Sequence, residues 1–442
     1  MQENTPSPFS TAPGLPVLGS LIPLSRNALR LFTRLAVEHG DRVRLRVPGR
    51  QILLLSHPQD LEMILVRDKA HYGRSRELRK LRPVFGNGLV VSDGELWRRQ
   101  RNMVQPHFQH DALARYAEIM LLTIRPQLQR WCVGETRDML SDMLEYTGNT
   151  ICEVLFGKSF QVNHPGVGAA VRTVFGDLRS EILYLPVWRR LPLGKGRRWN
   201  SAAQTLNRAI RQTIAARRAS DELHEDLLQA LLMARDEQGR PMSDQQLHDE
   251  IMTFFIGGYE TAALALTWCT YLLAQHQEVQ NRVRQELHTV LNGRSLQASD
   301  LSQLRYTQAV IKETLRLYPP AWSIGRCSLP GAVLGGEALP AGTDIWINLH
   351  GLHHDARWYQ DPESFRPERW IGHVQTPYTF LPFGIGPRVC IGQHFAMAEA
   401  TLALAAMLSK FRLTRATPES IEPSAWLTLR PSRPVLLRIT EA

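Results

Sequence analysis

The chain has 442 residues, 43% of them hydrophobic and 21% charged, with a formal net charge of +10 at pH 7. That balance supports a large soluble core, and no run of about 18 uninterrupted apolar residues predicts a spanning helix. Length alone admits two or three domains, although single folds of this size exist. The first residues, Met-Gln-Glu-Asn-Thr-Pro-Ser-Pro, lack the basic start and apolar run of a signal peptide. The five cysteines, Cys132, Cys152, Cys269, Cys327 and Cys390, are too widely and irregularly spaced for a disulfide framework, a zinc site or an iron–sulfur site. They fit a reducing, cytoplasmic setting. The basic residues are scattered and no nucleic-acid motif accompanies them, so the charge points to an acidic protein partner or to pairing with bound carboxylates rather than to nucleic acid.

In chain order, residues 1–25 are rich in Pro and Ser and read as an irregular N-terminal arm, with 26–442 as the folded domain. Leu29, Phe32, Leu35 and Ala36 recur at helical spacing until Gly40. Strand-like runs follow at Arg42 to Val47 and Gln51 to Leu55, with Pro48-Gly49 as their turn. His57-Pro58 opens a helix over Gln59 to Val66. Residues 70–92 show little periodicity and contain Phe85-Gly86-Asn87-Gly88, which reads as a loop. Trp97 and Arg101 stand four apart, so on a helix an indole N–H and a guanidinium share one face, a good site for a carboxylate. From His110 to about Arg235 the pattern is mostly helical. Residues 183–199 mix apolar and basic residues broken by prolines, which suits a lid between helices or a contact with a membrane surface.

Ser243 is an N-cap for the longest helical stretch, which runs to about His276. At its centre stands Gly257-Gly258-Tyr259-Glu260-Thr261. Each mid-helix glycine costs about 1 kcal/mol against alanine. Either room for a ligand against the backbone or tight helix packing would offset that. The adjacent Glu260 and Thr261 form a plausible proton relay, and spacings of four put Thr253, Gly257, Thr261 and Ala265 on one face. Farther on, Glu313 and Arg316 form Glu-x-x-Arg before the Pro319-Pro320 stop. Strand-like runs at Ala332 to Leu334 and Asp344 to Leu349 follow. His350, His353 and His354 have a metal-like look.

Near the C-terminal end comes Phe383-Gly384-Ile385-Gly386-Pro387-Arg388-Val389-Cys390-Ile391-Gly392, then a run of good helix formers from His394. The glycines and Pro387 make a stiff loop, and Gly392 lets something flat approach the backbone. A thiolate at a helix N-terminus is favoured by the dipole and free N–H groups, and an anionic sulfur so held suits an axial ligand of a haem iron. This loop, with every fixed position filled, resembles the cysteine-loop signature of the cytochrome P450 family of haem-thiolate enzymes.

The resemblance extends over essentially the whole chain. Pro13-Gly14-Leu15-Pro16 resembles the family's proline-rich hinge, and Trp97-x-x-x-Arg101 its propionate-binding motif. Residues 70–92 resemble the loop over its substrate pocket, with Tyr72, Leu81, Phe85, Leu89 and Val90 as lining candidates. Gly257-Gly258-Tyr259-Glu260-Thr261 resembles the oxygen-activation motif. Glu313, Arg316 and Arg369 match a structural network that braces the thiolate loop. The resemblance implies a mainly α fold with small β-sheets in a single haem-binding domain, with haem b (iron protoporphyrin IX) as cofactor and Cys390 as its iron ligand. Trp97, Arg101, Gly257, Arg326, His353, Phe383, Arg388 and Gly392 are the implied cofactor contacts. At the position after His353 the family's arginine is replaced by His354, which removes one expected propionate contact. Thr253, Ile256, Gly257, Ala265, Trp322, Ile324 and Trp426 join Phe85, Leu89 and Val90 around the implied pocket.

The implied activity is a monooxygenase that inserts one atom of O2 into an apolar small molecule, by hydroxylation or epoxidation, in specialised metabolism. Thr261 and Glu260 would deliver the protons. The chain has no flavin or iron–sulfur module, so electrons would come from separate proteins, an acidic ferredoxin or a flavodoxin with its NAD(P)H reductase. The expected protein is a cytoplasmic monomer. A peroxide-using haem-thiolate enzyme typically lacks the acid–alcohol pair, and a non-enzymatic haem sensor does not need it; these are the alternatives.

Overall fold

The computed structural model describes residues 7–157, 160, 166–170, 173, 174, 194–372 and 374–441. The 183–193 part of the expected lid lies outside the described residues. The chain folds into two compact units. The first holds the chain up to Arg79 together with Ala309–Gln393 and Ser420–Arg433, and the second holds Lys80–Gln308, His394–Glu419 and Pro434–Ala442.

The first unit is built on a six-stranded sheet. Its order is Ser10–Thr11, Arg42–Val47, Arg50–Leu55, Asp344–Ile347, Ile324–Ser328 and Tyr72–Arg74. Arg42–Val47 alternates arginine with apolar residues, so Val43, Leu45 and Val47 are buried on one face. Its antiparallel partner reads Ile-Leu-Leu-Leu and is buried on both faces, as a central strand should be. The two faces carry separate cores. Leu53, Leu55, Ile345 and Ile347 pack with Leu61, Ile64 and Leu65. Ile52 and Leu54 pack with Phe32 and Leu35 of the Leu21–His39 helix. Phe32 is completely buried, worth roughly 1.5–3 kcal/mol relative to exposure.

Three local features differ from what the sequence predicts. The arm is not irregular throughout: Ser10–Thr11 pairs in parallel with Arg42–Val47, and a helical turn from Leu21 precedes the main helix, from which it is separated by a kink at Asn27, whose φ is -157° and ψ 89°. The expected helix over 59–66 is a short α-helix, Pro58–Glu62, followed by a π-helical turn, Met63–Arg67. The run to Leu349 ends as a strand at Ile347, because Asn348 caps a short helix, Leu349–His353, by accepting the Gly351 N–H.

The second unit is helical. It contains Gly94–Val104, His110–Gln129, Met139–Phe156, Gly194–Arg218, Asp244–Gln275 and Gln393–Leu408, the last beginning at the unit boundary. Ser243 caps the Asp244–Gln275 helix as expected, its side chain accepting the Gln246 N–H. A cap at Asp138 starts Met139–Phe156 in the same way. These two helices approach closely through paired glycines. A Cβ at Gly258 would lie 2.9 Å from Ile151, and one at Gly148 would lie 2.8 Å from Tyr259. Thr147 fastens the contact by donating to the Tyr259 carbonyl at 2.7 Å. A three-stranded sheet of Phe411–Arg415, Leu436–Glu441 and Thr136–Asp138 closes the unit, the last strand being one that the sequence pattern does not announce.

Candidate functional site: the thiolate loop and the open stripe of the long helix

Within the first unit, Cys390 is the product of a tightly specified loop. Gly384 and Gly386 both take positive φ, +70° and +75°. A Cβ at Gly386 would sit 2.1 Å from the Leu65 carbonyl, so only glycine fits there. The Gly384 N–H donates to Leu381, and the Cys390 N–H donates back to the Phe383 carbonyl at 2.9 Å. Gly386–Arg388 forms one 3₁₀ turn started by Pro387. Cys390 is left exposed, whereas Cys152, Cys269 and Cys327 are buried. Three residues later the Gln393–Leu408 helix begins, and the Gln393 N–H donates to the Cys390 carbonyl at 3.4 Å. A Cβ at Gly392 would meet nothing within 4 Å. Open space lies beside the cysteine, where a flat group needs it.

The loop is braced from below by Glu313 and Arg316, both completely buried. Arg316 donates twice to Glu313, at 3.0 and 2.8 Å, and three more times to the carbonyls of His353, Pro362 and Ser364. Glu313 also accepts from the Arg366 N–H, from Arg369 Nε at 3.2 Å and from Trp370 Nε1 at 2.9 Å. The expected triad is therefore assembled, with Trp370 and the Arg366 amide as unforeseen members. His353 then links this network to the loop, because its Nε2 accepts the Leu381 N–H at 3.0 Å.

That placement corrects one expectation. His353 has no exposed surface, and burial together with the neighbouring His354 and Arg316 charges depresses it to about 3. It is a neutral bracing residue rather than a propionate contact. His350 is also held well below the usual imidazole range, by burial first and then by its histidine neighbours, and His354 bonds Glu363 and the Leu317 carbonyl. No cluster of three or more potential metal ligands occurs among the described residues.

The first unit also carries cations suited to carboxylates. Arg326 is directly opposite Arg74 in the antiparallel register of two strands, so both side chains leave the same face. Like charges so placed repel, which an anionic group would offset. Arg74 was missed by sequence reasoning because only the register reveals it. Arg388 is half-buried in the 3₁₀ turn. In the second unit, Trp97 and Arg101 lie half-buried on Gly94–Val104, and Arg101 Nε donates to Gln105 at 3.2 Å.

The Asp244–Gln275 helix is buried on every side from Leu247 to Ala274, except at three positions. Gly257 is exposed, and Gly258 and Thr261 are half-buried. A Cβ at Gly257 would meet nothing within 4 Å. The two readings of the glycine pair thus divide between them: Gly258 admits the neighbouring helix, and Gly257 opens onto space. Thr261 Oγ1 donates to the Gly257 carbonyl at 2.6 Å, and Glu260 is buried directly beside it in sequence.

The remaining pocket residues fall into three groups. Val90, Ile324 and Trp426 keep partial exposure, and Ile324 reaches within 3.6 Å of a Cβ built at Gly384. Phe85, Leu89, Ile256, Ala265 and Leu81 are buried. Three others point elsewhere. Thr253 is covered by Gly88 and donates to the Asp249 carbonyl. Tyr72 donates to the Val333 carbonyl, and its hydroxyl is pushed up to about 12 by burial. Trp322 packs on Phe32 at 5.6 Å and donates to the Trp426 carbonyl, so it belongs to the core of the first unit.

Comparison with known proteins agrees with this geometry. The family described as Cytochrome P450 matches residues 9–438, across both units. The chain is 36% identical over 426 residues to a cyclooctatin synthase from Streptomyces melanosporofaciens, covering 94% of this chain and 92% of that one. It is 33% identical over 435 residues to a pentalenene oxygenase from Streptomyces avermitilis, covering 97% of each. It is 35% identical over 412 residues to a cyclooctat-9-en-7-ol 5-monooxygenase from Streptomyces melanosporofaciens, covering 91% and 89%. No helix among the described residues is long and apolar enough to cross a membrane. With a mainly helical fold bearing small sheets, a haem-binding signature and monooxygenase relatives along more than nine-tenths of its length, the chain belongs to the cytochrome P450 family of haem-dependent monooxygenases, which use O2 and redox partners.

Proposed function

We propose that this chain binds haem b through Cys390 and oxygenates a hydrocarbon-like small molecule, an alkene or its alcohol, in specialised metabolism. The exposed Cys390 at the end of a loop fixed by Gly384 and Gly386 carries the reading. Haem held through a thiolate supplies O2 activation and the cleavage of the O–O bond. Gly392 and Gly257, each within its own unit, would meet no neighbour with an added Cβ, as the approach of a flat group requires. Trp97, Arg101, Arg326 and Arg388 would neutralise the propionates, with Arg74 beside Arg326, and Phe383 would support the cofactor from the thiolate loop.

The chain's own residues then have distinct tasks. Thr261 holds a proton at Oγ1 next to the open space, and Glu260 can replenish it from the buried side. By the family resemblance, Phe85, Leu89, Val90, Ile256 and Ala265 of the second unit and Ile324 and Trp426 of the first would each give apolar surface to a substrate, holding it by exclusion of water. The names of two relatives, pentalenene oxygenase and cyclooctat-9-en-7-ol 5-monooxygenase, support a hydrocarbon skeleton bearing at most a hydroxyl. The net charge of +10 suits an acidic ferredoxin or a flavodoxin, reduced by its NAD(P)H reductase, as electron donor. The protein would be a monomer, and its five free cysteines suit the reducing cytoplasm.

The carbon monoxide spectrum of the reduced protein tests the carrying observation. It should show the red-shifted band of thiolate ligation. Cys390→Ser should abolish that band, and Cys132→Ser, Cys152→Ser, Cys269→Ser and Cys327→Ser should each keep it. A normal band in the Cys390 variant would end the haem-thiolate reading.

A further inference from the structure

Far from Thr261 along the same helix, two adjacent acidic side chains are buried: Asp249 is 3% exposed and Glu250 is 0% exposed. Consecutive helical residues point about 100° apart, so these two leave the helix in different directions. Both nevertheless meet the same loop. The Asn87 N–H donates to Asp249 at 2.8 Å, and the Leu89 N–H donates to Glu250 at 3.0 Å. The loop therefore grips the helix from two sides.

Its glycines make that grip possible. A Cβ at Gly86 would lie 2.1 Å from the Asp249 carboxyl, and one at Gly88 would lie 2.1 Å from Thr253 Oγ1. From the other side, Gln100 donates to the Asn87 carbonyl at 2.7 Å. Asp249 is also held by Gln245 at 2.7 Å and His248 at 3.2 Å. The far nitrogen of His248 meets Asn207 of the Gly194–Arg218 helix at 2.7 Å, and Arg211 of that helix donates to Gln245. One pair of acidic side chains thus ties together a loop and two helices.

Packing alone does not call for this arrangement. Covering the loop with apolar side chains would avoid burying two neighbouring acids. Burial pushes the Glu250 carboxyl up to about 8, against the Leu89 N–H, with Asp249 raising it further. Its second oxygen, Oε1, is buried without a partner. What the acids give in return is a fixed register, because a slip of one residue would break both amide contacts.

We propose that Asp249 and Glu250 are positioning residues for substrate recognition, which clamp the Asn87 and Leu89 amides and thereby fix the shape of the pocket wall carrying Phe85 and Leu89. The inference rests on the reading above that Phe85 and Leu89 line the substrate pocket. Neither acid touches substrate; each acts through the loop. Loosening the clamp therefore disturbs ligands large enough to lean on the wall and spares small ones.

Spectral titration of the haem-loaded protein with imidazole and with 4-phenylimidazole separates the two cases. Glu250→Ala and Asp249→Ala should weaken 4-phenylimidazole by about tenfold or more, and imidazole by no more than about twofold, the difference being the wall's share. Glu250→Gln keeps an oxygen for the Leu89 N–H and should bind both within about threefold of the parent protein. Unchanged 4-phenylimidazole binding in both alanine variants, or equal weakening of the two azoles, overturns the proposal. If the alanine variants do not fold, amide hydrogen exchange on the parent protein decides. Asn87 and Leu89 should exchange as slowly as the amides of Asp244–Gln275, and loop-like exchange overturns the clamp. A parent protein that binds neither azole contradicts the haem reading instead, and the same exchange measurement still judges the clamp.

Discussion

Replacing Arg316 by lysine keeps the charge and tests the fork. The guanidinium makes five hydrogen bonds, two to Glu313 and one each to the carbonyls of His353, Pro362 and Ser364. An ammonium has three protons, so at least two of these bonds are lost even with ideal placement. Charged hydrogen bonds contribute roughly 1.5–3 kcal/mol each, which puts the loss near 3–6 kcal/mol. Against a typical stability of about 5–15 kcal/mol that is a large fraction. The damage should also travel to the thiolate loop, because Arg316 holds the His353 carbonyl while the His353 ring holds the Leu381 amide. Guanidinium unfolding followed by far-UV circular dichroism gives the stability loss, and the carbon monoxide band gives the state of the loop. A loss below about 1 kcal/mol with a normal band would refute the claim that this network braces Cys390.

Other outcomes follow from the same geometry. Thr261→Ala should retain ligand binding and the carbon monoxide band but lower product formed per NAD(P)H and raise peroxide; general acid assistance is worth about 10²–10⁴ in rate, and the lower end is expected where water replaces the hydroxyl. Unchanged yield per NAD(P)H would leave Thr261 with only its bond to the Gly257 carbonyl. Arg101→Ala and Arg388→Ala should each lower haem occupancy, read as the ratio of Soret to protein absorbance, and full occupancy in both would show that the propionates lie elsewhere. Glu250 should make the protein less stable as pH rises. The folded group keeps its proton up to about 8 while the unfolded one loses it near 4.5, so its contribution is full below about 4.5 and lost through about 8. Comparing urea midpoints across that window, Glu250→Gln should flatten the slope, and parallel slopes would show that Glu250 is not the group responsible.

Much of this was readable from local pattern. The alternation in Arg42–Val47, the capped run from Ser243 and the three-residue spacing of Glu313 and Arg316 each carry their geometry within a few residues. What escaped depends on contacts distant in sequence. Arg74 acquires meaning only from its place opposite Arg326, far away along the chain. His353 has the composition of a ligand but lies beneath the loop, because the short helix that carries it is buried around Arg316. Trp322 follows the Pro-Pro stop as expected, yet the tryptophan found a better partner in Phe32. The adjacent Glu260 and Thr261 favour ligand room over packing for the glycine pair, but sequence could not assign one role to each of Gly257 and Gly258, since one turn of helix carries both.

Gly257 has a consequence for how such a protein diversifies. Alanine there would meet no neighbour, and in a helix interior it should raise stability by about 1 kcal/mol. The chain thus forgoes stability at a position where gaining it is easy, the usual mark of a trade against activity. The methyl would occupy volume otherwise left to the cofactor or what it acts upon. Gly88 and Gly386 offer no such choice, because any side chain strikes Thr253 or the Leu65 backbone. Laboratory evolution started from this chain should therefore find its changes of selectivity at residue 257 at little cost to folding, while residues 88 and 386 stay fixed throughout.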